Sequence, residues 1–179
     1  MLNKIKWTLY AVLVLGLFAF LHWSLPHYDV ARILDTEIKR QAVETENAQG
    51  ETVTRTEDVR YISTARPDGS VYVYRNQDTG WGWPPYFKFD SANLAAEADN
   101  HSSTKENPEW YFIEHYGWRF TLLSMFPNAI EITPAEGPDE TIVPWFNIAV
   151  YALVLGLLIY VRWRIRRGLS SAADEIADT

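Results

Sequence analysis

Two blocks of the chain are continuously apolar, and the stretch between them alternates or is broken. The first is WTLYAVLVLGLFAFLHWSL (Trp7 to Leu25) and the second IVPWFNIAVYALVLGLLIYV (Ile142 to Val161). Neither contains Asp, Glu, Lys or Arg. At about 1.5 Å of rise per residue, each comes close to the roughly 30 Å of bilayer hydrocarbon. A buried helix of a soluble domain is more often shorter or carries a polar stripe. The pattern predicts two membrane-spanning helices. Lys4 and Lys6 before the first block also suit a signal peptide. The apolar stretch is too long for one, however, and FLHWSLPHY offers no small-x-small cleavage site, so an uncleaved anchor is expected.

Between the blocks the pattern shortens. DVARILDTEIKRQAV (Asp29 to Val43) places Val30, Leu34, Thr36 and Ile38 on one strand face, although Val30, Leu34 and Ile38 also keep helical spacing; a strand is expected. A polar turn around Gly50 follows. DVRYISTA alternates, PDG (Pro67 to Gly69) is a turn signal, and SVYVYR is dense in β-branched and aromatic residues, so a hairpin is expected. DSANLAAEADN, with Asp90 or Ser91 as cap and Leu94, Ala95 and Ala98 as apolar stripe, predicts a short helix. EWYFIEHYGWRFTLLSMF, broken at Gly117, and AIEITP supply two further strands. Three strands, a helix and two strands fit a five-stranded barrel of the oligonucleotide/oligosaccharide-binding type, and equally an α+β sheet capped by one helix. The fold class is thus a membrane protein with two transmembrane helices flanking a small β-rich (α+β) domain.

Charge orients the molecule. Lys4 and Lys6 precede the first span, and Arg162, Arg164, Arg166 and Arg167 follow the second. His27 to Thr141 holds ten Lys or Arg against twenty Asp or Glu. Both termini are expected inside and the acidic domain outside. Trp7 and Trp163 would then mark the inner surface, Trp23 and Trp145 the outer one. The expected partition is 1–6 inner N-terminus, 7–25 first span, 26–141 outer domain, 142–161 second span, and 162–179 basic juxtamembrane segment with a mobile acidic tail. The arginine cluster is a candidate contact for anionic lipid headgroups. Ala149, Ala152 and Gly156 are candidates for helix packing, on Gly16 and Ala19 or on another subunit.

YRNQDTGWGWPPYFKFDSANLAAEA (Tyr74 to Ala98), HYGWRFTLLSMFPNAIEITP (His115 to Pro134) and VPWFNI (Val143 to Ile148) together resemble a bacterial membrane family, domain of unknown function 1523. The resemblance runs from the first apolar block to the second. It implies a bacterial inner membrane, and hence a periplasmic central domain with cytoplasmic termini. It implies no activity, cofactor or site.

Chemistry-bearing motifs are sparse. The chain has no cysteine, which excludes thiolate metal sites, iron–sulfur clusters and a cysteine nucleophile. His22, His27, His101 and His115 show no metal-ligand spacing, and the second span has no axial histidine for a haem, so no metal or cofactor is expected. GxSxG, P-loop and GxGxxG motifs are absent, so no catalytic residues are assigned. Asp78, Asp90, Glu114 and His115 could assemble a carboxylate–histidine site, but nothing in their spacing favours it. Charge and compartment argue against nucleic acid. DTGWGWPPYFKFD (Asp78 to Asp90) is the densest candidate surface. Its alternation predicts Trp83, Phe87 and Phe89 inward, with Trp81 and Tyr86 partly exposed; Trp81, Trp83 and Tyr86 are candidate partner contacts. The expected function is non-catalytic: an accessory subunit or interaction module of a membrane complex, in contact with lipids and a protein partner. A periplasmic ligand-binding or envelope-sensing module is the alternative, and an enzyme of unknown type the third.

Overall fold

The computed structural model describes residues 2–46, 50 and 52–177. The chain falls into two units, Met1–Ile142 and Val143–Thr179. In the first unit, α1 (Leu2–Ser24) winds the first apolar block into one helix. Lys4–Ser24 is long and apolar enough to cross a membrane. Leu9, Val12, Leu13 and Leu15 are exposed along it, residues that a soluble core helix would bury. In the second unit, α3 (Trp145–Ala177) opens just after Pro144, where proline's missing donor costs nothing. Its segment Trp145–Arg167 also meets the length and hydropathy of a span. The segment expected to be a mobile tail continues this helix to Ala177, and residues 178–179 lie outside the described residues.

Between them in sequence the chain forms a closed barrel. Its strands are β1 (His27–Glu46), β2 (Thr52–Ala65), β3 (Val71–Asn76), β4 (Tyr111–Tyr116) and β5 (Asn128–Pro134), and α2 (Ser91–Asn100) lies between β3 and β4. The order around the barrel is β1-β2-β3-β5-β4. β1 closes it by pairing twice: His27 to Ala31 against β4, then Arg32 onward against β2. β3 and β5 meet in parallel at Arg75↔Asn128. These two contacts decide between the expected alternatives in favour of the barrel.

The interior follows from alternation. Ala31 and Ile33 of β1, Ile62 of β2, Tyr74 of β3, Tyr111 and Ile113 of β4, and Ala129 and Ile132 of β5 form one core. Leu94 and Ala98 of α2 join it. Val59 and Tyr61, which alternate with Ile62, are buried too, and Tyr61 packs edge-on against Phe126. The β2–β3 turn is the expected one, with Gly69 N–H donating to Arg66 O at 2.8 Å.

One part of the sheet belongs to no core. The seven rows from Arg40↔Asp58 to Glu46↔Thr52 pair β1 with β2 alone. They extend the hairpin beyond the barrel as a two-stranded ribbon. At about 3.3 Å per residue, β1 has a contour of roughly 60 Å from the end of α1 to the ribbon tip. Val53 is exposed on it, and Ile38 is exposed at its base.

Candidate functional site at the junction of helix and barrel

The last turn of α1 is docked on the barrel. Ser24, Leu25 and Pro26 are buried. Gly117 N–H donates to Trp23 O at 2.9 Å, and the Trp23 ring packs edge-on against Tyr116. Trp118 Nε1 donates to His22 Nδ1 at 2.9 Å. The break at Gly117 makes this possible. Its φ of 89° ends β4 in a conformation that costs glycine little and turns the following loop toward the helix.

Inside the barrel mouth nearest α1, alternation brings Asp29, Tyr74 and His115 inward. Asp29 Oδ2 accepts from Tyr74 Oη at 2.6 Å, Arg66 Nη2 at 2.7 Å and His115 Nε2 at 3.2 Å. Burial alone would raise the Asp29 carboxyl. The hydrogen bonds from His115, Tyr74 and Arg66 and the charge of His115 override it and hold the group well below the usual carboxylate range. Burial, reinforced by the Asp29 charge, pushes the Tyr74 phenol far up, so it stays a donor. The result is a fixed carboxylate with three donors, which orients the His115 ring and leaves its Nδ1 buried without a partner.

Outward from His115 the imidazoles form a series. His115 and His27 have ring centroids 5.6 Å apart, and His27 and His22 4.6 Å. They line a cavity of about 380 Å³ together with Arg66, Arg119 and Trp118. Sequence spacing did not reveal this grouping, because it depends on the closing register His27↔His115. The proposed set Asp78, Asp90, Glu114 and His115 does not assemble. Glu114 points to the opposite face from His115. Asp78 Oδ1 accepts from Ser91 N–H at 2.8 Å and caps α2 from a distance, while Asp90 holds the N-cap position without a side-chain bond.

The aromatic loop inverts the expected alternation. Phe87 and Phe89 are exposed, at 52% and 57%, while Lys88 between them is 4% exposed. The Lys88 ammonium donates to Asn76 Oδ1 and Ala129 O, both at 2.6 Å, two neutral acceptors. Burial lowers its pKa to about 8, with Asp90 and Asp78 acting against that shift. Its backbone is also fixed, since Thr79 and Gly80 N–H donate to Lys88 O and Lys88 N–H donates to Thr79 Oγ1. Phe87 adopts the left-handed conformation with φ 51°, rare for a bulky residue. Trp83 was expected inward. Instead it is 61% exposed and stacks on Phe20 of α1, with centroids 5.7 Å apart. Trp81 is 84% exposed, edge-on to Phe87 and Phe89. Tyr86, the third candidate contact, is half-buried: its Oη donates to Ser24 O and its ring stacks on Tyr116. Two of the three candidates thus touch α1 directly. Ala149, Ala152, Gly156 and Arg162, Arg164, Arg166 and Arg167 all fall on α3.

Fold and junction define a class: a small closed barrel whose first strand issues from a long apolar helix, with a second such helix following it. The sequence profile of the family described as "Protein of unknown function (DUF1523)" matches residues 2–169, and the chain belongs to this family. An uncharacterized protein of Haemophilus influenzae (strain ATCC 51907 / DSM 11121 / KW20 / Rd) is 39% identical over 148 residues, covering 79% of this chain and 80% of the relative. No solved structure matches.

Proposed function

We propose that this chain is a non-catalytic inner-membrane protein: two spans hold the barrel in the periplasm as the contact module of a membrane complex, with both termini cytoplasmic. Lys4, Lys6 and the four arginines after the second apolar block support that orientation. The observation that carries the contact role is the β1–β2 ribbon. A lone two-stranded hairpin is marginal in water, and ordering its backbone costs on the order of 1–2 kcal/mol per residue. The seven rows beyond the barrel add no described side chain to its core. They reach away from the α1 end of β1, and among the described residues neither outer edge there is paired. A protein partner that adds to those edges or covers Val53 accounts for the arm. The test is to replace residues 40–58 by a two-residue turn and compare what copurifies after mild detergent extraction. Loss of a large assembly with barrel melting retained is the expected result. An unchanged assembly overturns the contact role of the arm.

A ligand-binding or envelope-sensing role is favoured by one feature, the cavity lined by His22, His27, Asp29, His115, Arg66 and Arg119. Asp29 is already paired with Arg66, so Arg119 is the cation this lining offers a small anion. Under that role inorganic phosphate raises the melting temperature of the full chain, and Arg119→Ala removes the rise; a melting temperature indifferent to phosphate ends it.

A further inference from the structure

Loop 79–89 exposes what a water-soluble loop would hide and hides what it would expose. Four large aromatics, Trp81, Trp83, Phe87 and Phe89, lie outward. The only charged side chain from Gly80 to Phe89 is Lys88, and its ammonium is turned into the barrel wall. This inversion is built rather than incidental. Two backbone hydrogen bonds to Lys88 O and one from Lys88 N–H to the Thr79 hydroxyl fix it, as do the two from the Lys88 ammonium. It also holds Phe87 in a left-handed conformation that a bulky residue adopts only at a cost. Leaving four aromatics in water is a further cost.

The surroundings of the loop indicate what offsets these costs. Trp83 stacks on Phe20, which lies within the apolar helix Lys4–Ser24. Phe20 is four residues before the helix end, about 6 Å down its axis at 1.5 Å per residue. The tip of the loop therefore reaches below the end of α1, alongside it. Tyr86 pins the same tip to the last helical residue through Ser24 O. Tryptophan and phenylalanine are the residues favoured at the boundary between headgroups and acyl chains.

We infer that loop 79–89 is a membrane-surface anchor: Trp81, Trp83, Phe87 and Phe89 enter the outer headgroup and acyl boundary beside α1 and seat the barrel on lipid. The inference rests on the membrane placement proposed above. Lys88 is the positioning residue, since its burial forces its two neighbours outward. The surface is thus assigned to lipid rather than to the protein partner.

Because the chain has no cysteine, single substitutions give unique labels. Full-length Trp81→Cys, Phe87→Cys, Val12→Cys and Ile38→Cys proteins are labelled with an environment-sensitive fluorophore. They are reconstituted in vesicles of phosphatidylethanolamine and phosphatidylglycerol, then quenched with aqueous iodide or with lipids bearing a nitroxide near the headgroup. Labels at 81 and 87 are expected to be shielded from iodide and quenched severalfold more by the nitroxide lipid than the label at 38. If 81 and 87 behave like 38 while 12 is shielded, the anchor is wrong and the membrane placement stands. If 12 is also open to iodide, the placement itself fails and the anchor with it. If 81 and 87 are shielded only in native membranes and not in pure lipid, the surface belongs to a protein, and the lipid assignment is overturned.

Discussion

Asp29 is the residue on which the barrel mouth turns. Three donors converge on one of its oxygens, and its carboxyl titrates below the usual range. Asp29→Asn should lower stability by roughly 2–4 kcal/mol, the cost of breaking a largely desolvated charged hydrogen-bond set. The wild-type advantage is present above the ordinary carboxylate value of 3.8 and shrinks as pH falls below it, so melting of the two proteins should converge in acid. Lys88 gives the opposite slope. The unfolded chain keeps its proton up to about 10.5, whereas the folded chain releases it near 8. Between those values the unfolded state binds more protons, so stability rises with pH. Relative to Lys88→Met, the wild type should gain on the order of 1 kcal/mol by pH 9, measured by denaturant unfolding. Neither role was legible beforehand. Lys88 reads as the exposed partner of an alternation, because pattern counts apolar residues as inward and cannot see that a buried Asn76 and a free Ala129 carbonyl await an ammonium. Asp29 reads as one acid among twenty.

Elements were far easier to infer than sites. β3, β5, α2 and the part of β2 from Asp58 on lie where alternation, the PDG turn and the Leu94–Ala98 stripe put them, while β2 begins six residues earlier, at Thr52. The short range of those signals is why they succeed: each depends on residues two to four apart. Barrel closure depends instead on β1 pairing with β4 across more than eighty residues, which no local pattern carries. The length of β1 was missed for the same reason, since a polar ribbon resembles a loop. At this scale Gly117 is the sharpest test. Its φ is positive, and an added Cβ would stand 3.6 Å from Pro127 Cα. Gly117→Ala should cost about 1–2 kcal/mol through backbone strain rather than crowding. The Gly117 N–H to Trp23 O contact should loosen with it, seen as faster amide exchange at Gly117 than in the wild type.

At the scale of the molecule, the two apolar blocks and their flanking charges were the clearest signals, and they carry the proposed placement. The arginines Arg162, Arg164, Arg166 and Arg167 should each contribute on the order of 1 kcal/mol of attraction to anionic lipid. Their joint replacement by glutamine should release the segment after the second span from vesicles rich in phosphatidylglycerol, read by a label at its end, while Lys4 and Lys6 still set the first span. Family membership adds no activity, so the ribbon, the junction and the aromatic loop have to be tested on this chain. The most direct measurement uses the cysteine-free background. Ile38→Cys, at the base of the ribbon, and Arg167→Cys, after the second apolar block, are exposed separately to a membrane-impermeant maleimide on intact spheroplasts. The barrel outside and the termini inside predict prompt labelling at 38, and labelling at 167 only after lysis. Labelling at 167 with protection at 38 would contradict the placement on which the contact role and the lipid anchor depend.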